Sequence, residues 1–390
     1  MRIGLNLLYL IPQRVGGTQT YAEGLITALG EIGTEHEYFL YVNSAGASLP
    51  WPARQNFHTV VCRFPAESRA ARYAFEQFAL RRRLKLDRID LLHSLGYVGP
   101  LRSPCPSVVS IYDAVFVGYP MSAARRALLR FFVTRAARSC DHVITVSEFS
   151  KHQIAHHLGI SEAKISVIYA GPRNPSSPST MDWDALQRRY NLKKPYVLAF
   201  GGSRPHKNIS RLVAAFADFA RTFPHSLVIV GDLPADGEVE SNVLARDLGA
   251  RVILTEYVPD DHVMPLLSAA DIFAFPSWYE GFGLPVLDAQ RAGVPVACSR
   301  AASLPEVAGE GAEYFDPFSV EQITMALRRC AERGEHRRHL VASAMANVER
   351  FSWDEAAHRT LVVYERTVAG NATHDGATYR SARMIPHPTT

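Results

Sequence analysis

The sequence predicts an α/β protein of two doubly wound domains, each built on a parallel sheet. Three observations predict it. Thirteen short apolar runs of strand type alternate with helix-like patterns, an arrangement that gives parallel sheets flanked by helices. At 390 residues the chain is too long for one compact core and suits two. A polar, proline-rich stretch, "NPSSPSTMD" (Asn174–Asp182), divides the runs seven and six and reads as a linker.

The elements follow in order. The first half offers strands at "RIGLNLLYL", "YFLYVN", "FHTVVC", "RIDLLHS", "SVVSIYD", "HVITVS" and "KISVIY". Helical patterns such as "YAEGLITALGEIG" and "ARRALLRFFVTRAARS" separate several of them. The second half repeats the scheme with "YVLAFGG", "SLVIVGD", "RVILTEY", "DIFAFPS", "VPVACS" and "AEYFDP". A last helical pattern, "WDEAAHRTLVVYERTVA", follows Phe351. From Gly370 the sequence turns polar and aperiodic, which predicts a loose tail. The predicted organisation is a first domain over 1–173, a linker over 174–190, a second domain over 191–350, a final helix over 351–369 and the tail over 370–390.

Composition excludes several classes. The chain is 47% hydrophobic and 21% charged, ordinary for a globular protein, and its net charge of +4 is too small to suggest nucleic acid. Five scattered cysteines (Cys62, Cys105, Cys140, Cys298, Cys330) show no paired or metal-binding spacing and read as reduced packing residues of a cytoplasmic protein. "MRIGLNLLYL" leads into Pro12 and Gly16-Gly17, a first strand and turn and not a secretory leader. No apolar run reaches the roughly 18–20 residues of a membrane span.

The chemistry concentrates in three glycine turns. "YEGFGLPVLD" places Glu280 and Asp288 on either side of a turn that opens a helix, with Pro285 suited to its first position. Backbone N–H groups at such a start attract phosphate, so the flanking carboxylates suit hydroxyl donors such as those of a sugar. The turn does not read as a dinucleotide fingerprint, because Val286 stands at the third glycine position. "GGSRPHKN" is not a Walker loop, since His206 and Asn208 replace residues that loop requires, but Arg204 and Lys207 can reach a diphosphate. "GGTQTY" sets Gly16-Gly17 after the first strand, where a ligand can approach the backbone or a plain tight turn can form. "DWD" (Asp182–Asp184) fits a helix N-terminus better than a metal site. His156-His157 and His336 with His339 lack further ligand-type neighbours, so no metal site is predicted.

Taken together, these pieces resemble the retaining glycosyltransferases of family 4, which share the two-domain GT-B fold. The resemblance runs from "VGGTQTY" through "SIYDAVF", "HVITVSEFSKHQI", "KISVIYAGP", "GGSRPHKN", "LVIVGD", "EYVPDDHV", "SWYEGFGLPVLDAQRAGVPVACS" and "SLPEVAGEGAEYFDP" to "FSW". It implies two Rossmann-like domains facing across a cleft, with a nucleotide-sugar donor mainly on the second and a glycan or lipid-linked glycan acceptor on the first. It implies that the final helix crosses back to the first domain, and that no cofactor or metal is needed. Lys207, helped by Arg204, would neutralise the leaving diphosphate. Glu280 would hold the donor sugar and Asp288 the ribose. Backbone groups of Gly281, Phe282, Gly283 and Leu284 would hold phosphate or sugar oxygens, and Gly16-Gly17 would close over them.

Three departures stand out. The second acid, usually Glu, is Asp288. An arginine common five residues before the lysine is Gly202. The histidine usual after the "SVVSI" strand is replaced by Tyr112-Asp113, so Asp113 and His93 are the expected replacements near the reacting carbon. The resemblance favours a mannosyltransferase using GDP-mannose and forming an α-glycoside. UDP-sugars, a hydrolase or epimerase, and a catalytically silent binding partner remain alternatives. Two arginine-rich helical stretches, Arg69–Arg88 and Arg125–Arg138, interleave Phe, Tyr and Leu with the cations. They read either as surface arginine lying over a buried helix face, the simpler case, or as a peripheral dock on anionic lipid at the inner face of the membrane.

Overall fold

The computed structural model describes residues 1–12, 16–117, 123–173, 183–202, 204–233 and 237–374. Seven strands form one wholly parallel sheet: β1 (Arg2–Asn6), β2 (Glu37–Asn43), β3 (Phe57–Cys62), β4 (Leu91–Ser94), β5 (Ser107–Ser110), β6 (His142–Thr145) and β7 (Ile165–Val167). Their order is β3-β2-β1-β4-β5-β6-β7. Six more form the second parallel sheet: β8 (Tyr196–Phe200), β9 (Ser226–Val230), β10 (Val252–Leu254), β11 (Ile272–Phe275), β12 (Val296–Ser299) and β13 (Glu313–Phe315), in the order β10-β9-β8-β11-β12-β13.

Helices cover both faces of each sheet, so most strand side chains are buried whichever way they point; β4, β5 and β9 are buried throughout. That two-sided burial is why the runs are continuously apolar. The strand order reverses between β1 and β4 and again between β8 and β11. Loops leaving the carboxyl ends of such neighbours diverge to opposite faces and open a crevice.

Every predicted run contains a strand, with local adjustments. "RIGLNLLYL" pairs only as far as Asn6, whose Oδ1 accepts from the Leu8 N–H at 3.2 Å and turns the chain out of the sheet. Of the predicted linker, 174–182 lies outside the described residues. The rest, Trp183–Tyr190, is a helix of the second domain, with Leu186 buried and Trp183 stacked on Tyr196 at 6.1 Å. Asp184 sits in its first turn. The final helix runs Trp353–His374, five residues past its predicted end, because "GNATH" holds no proline to stop it. Residues 375–390 of the predicted tail lie outside the described residues.

This last helix lies on the first domain. Ala356, Ala357 and Tyr364 pack with Leu25 and Leu29 of the Gly17–Ile32 helix, and the Trp353 indole fills the space that a side chain at Gly24 would need. Trp353 Nε1 donates to the Pro172 carbonyl at 2.9 Å, which ties the helix start to the end of the first domain.

One buried acid makes this domain sensitive to pH. Glu76, on the Arg69–Gln77 helix, accepts from Asn6 Nδ2 at 3.4 Å and lies 3.8 Å from Arg72. Burial pushes its carboxyl up to about 7, against the pull of Arg72 and Asn6. Because the native value lies above the unfolded one, the native state keeps a proton that the unfolded chain has released. Stability from this group is complete below about 4.5 and is lost as pH rises through about 7. Glu76→Gln is therefore expected to raise the melting temperature above the wild type's at pH 8, by an amount equivalent to about 3 kcal/mol. The gap should close towards pH 5. Thermal melts at both pH values check this, and a gap independent of pH contradicts it.

Candidate active site

The carboxyl ends of β8 and β11 carry the two glycine turns of the second domain. After β8, Gly201-Gly202 leads through Arg204 into a single 3-10 turn, Pro205–Lys207, and then into the Ile209–Ala220 helix. Asn208 joins them at φ +58°, a left-handed conformation that asparagine tolerates. Its Nδ2 donates to the carbonyls of Pro276 at 3.1 Å and Pro317 at 2.7 Å, which fixes the turn against the segments after β11 and β13. Lys207 is thereby held at Glu280, with Nζ 2.7 Å from Oε1 and 5.2 Å from the Phe275 ring centroid.

After β11 the chain turns through Glu280–Gly283 into the Leu284–Arg291 helix, with Pro285 in its first turn. Gly283 has φ +115°, a region open to glycine alone, and the Leu304 side chain leaves no room for a Cβ there. Ser303 Oγ bonds the carbonyls of Glu280 (2.9 Å) and Phe282 (2.8 Å), so the turn is held from below. A side chain added at Gly17, where the first domain's N-terminal helix starts, would point towards Leu284 with its Cβ 4.0 Å away, while nothing stands within 4 Å of one at Gly16.

Charge is balanced closely. Burial alone would raise the Glu280 carboxyl, but Lys207 and His206 beside it and a hydrogen bond from Lys207 hold it below the usual range. Burial pushes His206 down to about 4, so its ring is neutral near pH 7. Across the gap, Asp113 of the first domain accepts from the Val115 N–H at 3.1 Å and from the Tyr97 hydroxyl. Burial raises its carboxyl, Arg204 opposes that rise and Glu280 adds to it. Asp113, Arg204 and Glu280 thus feel one another across the cleft. A pocket of about 450 Å³ opens beside the β8 turn, lined among others by Gly202, Arg204, Arg211 and Trp278. A larger one of about 600 Å³ runs along the β10 edge, lined by residues such as Tyr190, Lys193 and Glu256, and shares no lining residue with the first. Size alone would favour the second, but Arg204 lies with the first; Lys207 and Glu280 line neither.

Three expected site residues take other roles. His93 is fully buried, with Nδ1 2.6 Å from the Tyr364 hydroxyl and Nε2 2.8 Å from Ser110 Oγ. Burial pushes it down to about 3. It is a neutral packing residue between β4 and the final helix, and it does not face the cleft. Gly281 faces the first domain: its carbonyl accepts from Ser147 Oγ (2.6 Å) and Ser150 Oγ (3.0 Å), and the Tyr112 carbonyl fills the space beyond its Cα. Asp288 is 1% exposed and turned to the end of the first domain. Its Oδ1 accepts from the Arg173 N–H at 2.7 Å and its Oδ2 lies 3.2 Å from Arg173 Nε.

Some neighbours were not singled out in the sequence. Tyr97, at φ +66°, follows directly in the "LLHSLGY" run that holds His93, and a bulky residue held in that conformation is a mark of a constrained site. Tyr279 places its hydroxyl 3.3 Å from the Ala114 N–H. Tyr112, standing where the family's histidine would be, is a buried packing residue whose hydroxyl donates to the Leu95 carbonyl at 2.7 Å.

Known proteins match this arrangement domain by domain. Residues 15–171 match the model of Glycosyltransferase Family 4, and residues 184–346 that of Glycosyl transferases group 1. The chain belongs to the family 4 glycosyltransferases. It is 30% identical over 235 residues to the O-antigen chain mannosyltransferase B of Escherichia coli, covering 58% of this chain and 61% of that protein. It is 29% identical over 240 residues to the MMP alpha-(1->4)-mannosyltransferase of Mycolicibacterium hassiacum, covering 60% and 56%. The matched region therefore spans about three-fifths of the length of these relatives. Among solved structures, sucrose-phosphate synthase from Thermosynechococcus elongatus superposes with a TM-score of 0.76 at 19% identity, over 95% of this chain and all of that one. Anabaena HepE in complex with UDP and glucose gives 0.70 at 19%, over 94% and 99%. The fold is GT-B.

Two outcomes follow for this chain. His93→Phe leaves Ser110 and Tyr364 without their partner and is expected to cost on the order of 2 kcal/mol of stability. Turnover per folded molecule should stay unchanged; a selective loss of turnover would return His93 to the site. Asp288→Ala and Arg173→Ala should each destabilise by on the order of 3 kcal/mol, and the double variant by less than their sum. Denaturant melts check the cycle, and additive losses would show that the pair does not act as a unit.

Proposed function

We propose that the protein transfers a hexosyl group from a nucleoside-diphosphate sugar, GDP-mannose, to a glycan or lipid-linked glycan acceptor with retention of anomeric configuration. The observation that carries this reading is the Lys207–Glu280 pair, set at the start of the Leu284–Arg291 helix and opposite Asp113. A cation and a carboxylate held 2.7 Å apart match the two ends of such a donor. The lysine exchanges its carboxylate for the diphosphate, and the released carboxylate accepts hydrogen bonds from the sugar hydroxyls. The mannosyl donor is supported by the mannosyltransferase names of the sequence relatives.

The chemistry follows from that placement. The bond between anomeric carbon and diphosphate oxygen breaks as Lys207 and Arg204 stabilise the leaving charge. The acceptor hydroxyl adds from the same face and gives its proton to the departing phosphate. Asp113 lies beside the cationic centre that forms between these events. Among the described residues, no group of three or more His, Cys, Asp or Glu is placed to hold a metal ion. In this reading charge neutralisation falls to Lys207 and Arg204.

The test combines thermal shift against GDP, UDP, ADP and their sugars with a transfer assay, since a ligand of the native state raises the melting temperature. GDP-mannose should give the largest shift and be consumed with an acceptor, with EDTA leaving turnover unchanged. Lys207→Ala should lower turnover by about two orders of magnitude or more and weaken nucleotide-diphosphate binding. A shift with UDP-sugars alone would replace the donor. Binding without transfer or hydrolysis would make the protein a silent partner in glycan assembly.

A further inference from the structure

One face of the first domain has features that the transfer reaction leaves unexplained. The helices Arg69–Gln77, Ala79–Leu86 and Ala123–Ser139 lie on the same side of the first sheet. Leu80 and Leu84 pack with Phe39, Tyr41 and Leu92, while Tyr73 and Val133 pack with Val109 and Val143. The strand register puts Leu92 and Val109 on one face, opposite the face where His93 meets the final helix. The Tyr73 and Phe132 rings touch at 4.5 Å, so the outer sides of these helices form a continuous surface.

That surface is basic and carries apolar side chains outward. The segments 69–88 and 123–139 hold twelve of the chain's 42 Lys and Arg and two of its 38 acids. One of the two acids, Glu76, is buried. These segments thus carry a net charge of about +10 in a chain of net +4. If its arginines only lay over a buried helix face, the large apolar residues would point inward. Instead Phe78 is 76% exposed, Leu128 54% and Phe131 50%. Arg135 stacks 5.4 Å over the Phe131 ring, so charge and apolar group project together.

We propose that this face is a peripheral docking surface for a bilayer of anionic lipid. Arginines meet the headgroups while Phe78, Leu128 and Phe131 enter the acyl boundary. A nucleic acid would use the cations and leave the outward phenylalanines without a partner. The Ala123–Ser139 helix also follows closely on the Val115–Val117 turn that leads from Asp113. A docked first domain therefore places the cleft beside the membrane, which suits a lipid-linked acceptor; this last point alone rests on the proposed transfer reaction.

The experiment is co-sedimentation of the full chain with phosphatidylcholine vesicles, with and without about one third phosphatidylglycerol. Binding is expected to the anionic vesicles only and to fall with salt, each arginine at the surface contributing about five-fold. The triple variant Phe78→Ser, Leu128→Ser, Phe131→Ser should lose at least about ten-fold in vesicle partition. Its melting temperature and its thermal shift with nucleotide should stay unchanged, which separates this surface from the donor site. Equal binding to neutral vesicles, no binding by the wild type, or an unaffected triple variant overturns the proposal. So does sedimentation of the wild type as a dimer that the triple variant dissolves without any vesicle binding, or preferential retention on duplex DNA.

Discussion

The site depends on a backbone contact between the domains, the docking of Gly281 on the first domain. Because Gly281 has no side chain, its backbone approaches the Tyr112 carbonyl closely and offers its own carbonyl to Ser147 and Ser150. Ser147 also caps the helix Glu148–Leu158, accepting from the Ser150 N–H at 3.0 Å. Glu306 of the second domain accepts from the N–H groups of Glu148 (2.7 Å) and Phe149 (3.2 Å). The orphan donors of one helix start are thus satisfied from across the gap. A seam of this kind has little freedom to slide, since any shift would strand several hydrogen bonds at once.

What the seam fixes is the relation of Asp113 to Glu280. One precedes the Val115–Val117 turn of the first domain, the other precedes Gly281 itself. Two acids brought this near repel, and the repulsion contributes to raising Asp113. Only Glu280 has a lysine in direct contact. Lys207 is engaged by Glu280, and His206, neutral near pH 7, adds no charge there. In the proposed transfer an incoming diphosphate would compete with Glu280 for the lysine, and sugar hydroxyls would restore the carboxylate's hydrogen bonds, so that one ion pair would couple binding and orientation of the donor.

How much of this was legible in the sequence follows from contact range. Most strands are buried on both faces and so largely apolar, which is why the runs stood out. The partly exposed edge strands β3 and β10 were marked by β-branched residues. Lys207 and Glu280 could each be singled out because each sits in a glycine turn just after a strand, but nothing local showed that they pair. The place of His93 was not legible, because its partner Tyr364 is 271 residues away and its histidine chemistry suits a packing role equally well. Tyr97, Ser147 and Ser150 were silent for the same reason. A serine that bridges domains has no local pattern to distinguish it from a serine that only caps a helix. The linker boundary is a different case: "DWD" read correctly as a helix start, but nothing local showed that this short helix, with Leu186 buried, packs on the second domain through Trp183.

The second acid shows how a local departure can be absorbed elsewhere in the fold. Asp288 reaches one methylene less far than the glutamate usual in the family, so its oxygens stay close to the body of the Leu284–Arg291 helix. Arg173 meets them there with its backbone N–H and its guanidinium, and extends onward to Asp260 at 3.3 Å. Arg291 in turn donates to the Arg173 carbonyl at 3.1 Å, so donor and acceptor of that one peptide segment are both engaged. Burial raises Asp288 to about 6 even against this arginine, which means that the pair stands close to neutralisation by a proton. Arg173 closes the described part of the first domain, and its grip on Asp288 anchors that end to the donor-side helix. A ribose seeking this carboxylate would have to displace a guanidinium and a backbone hydrogen bond together. The second domain is thus pinned to the first on both sides of the Phe282-Gly283 turn: at Gly281 before it and at Asp288 after it.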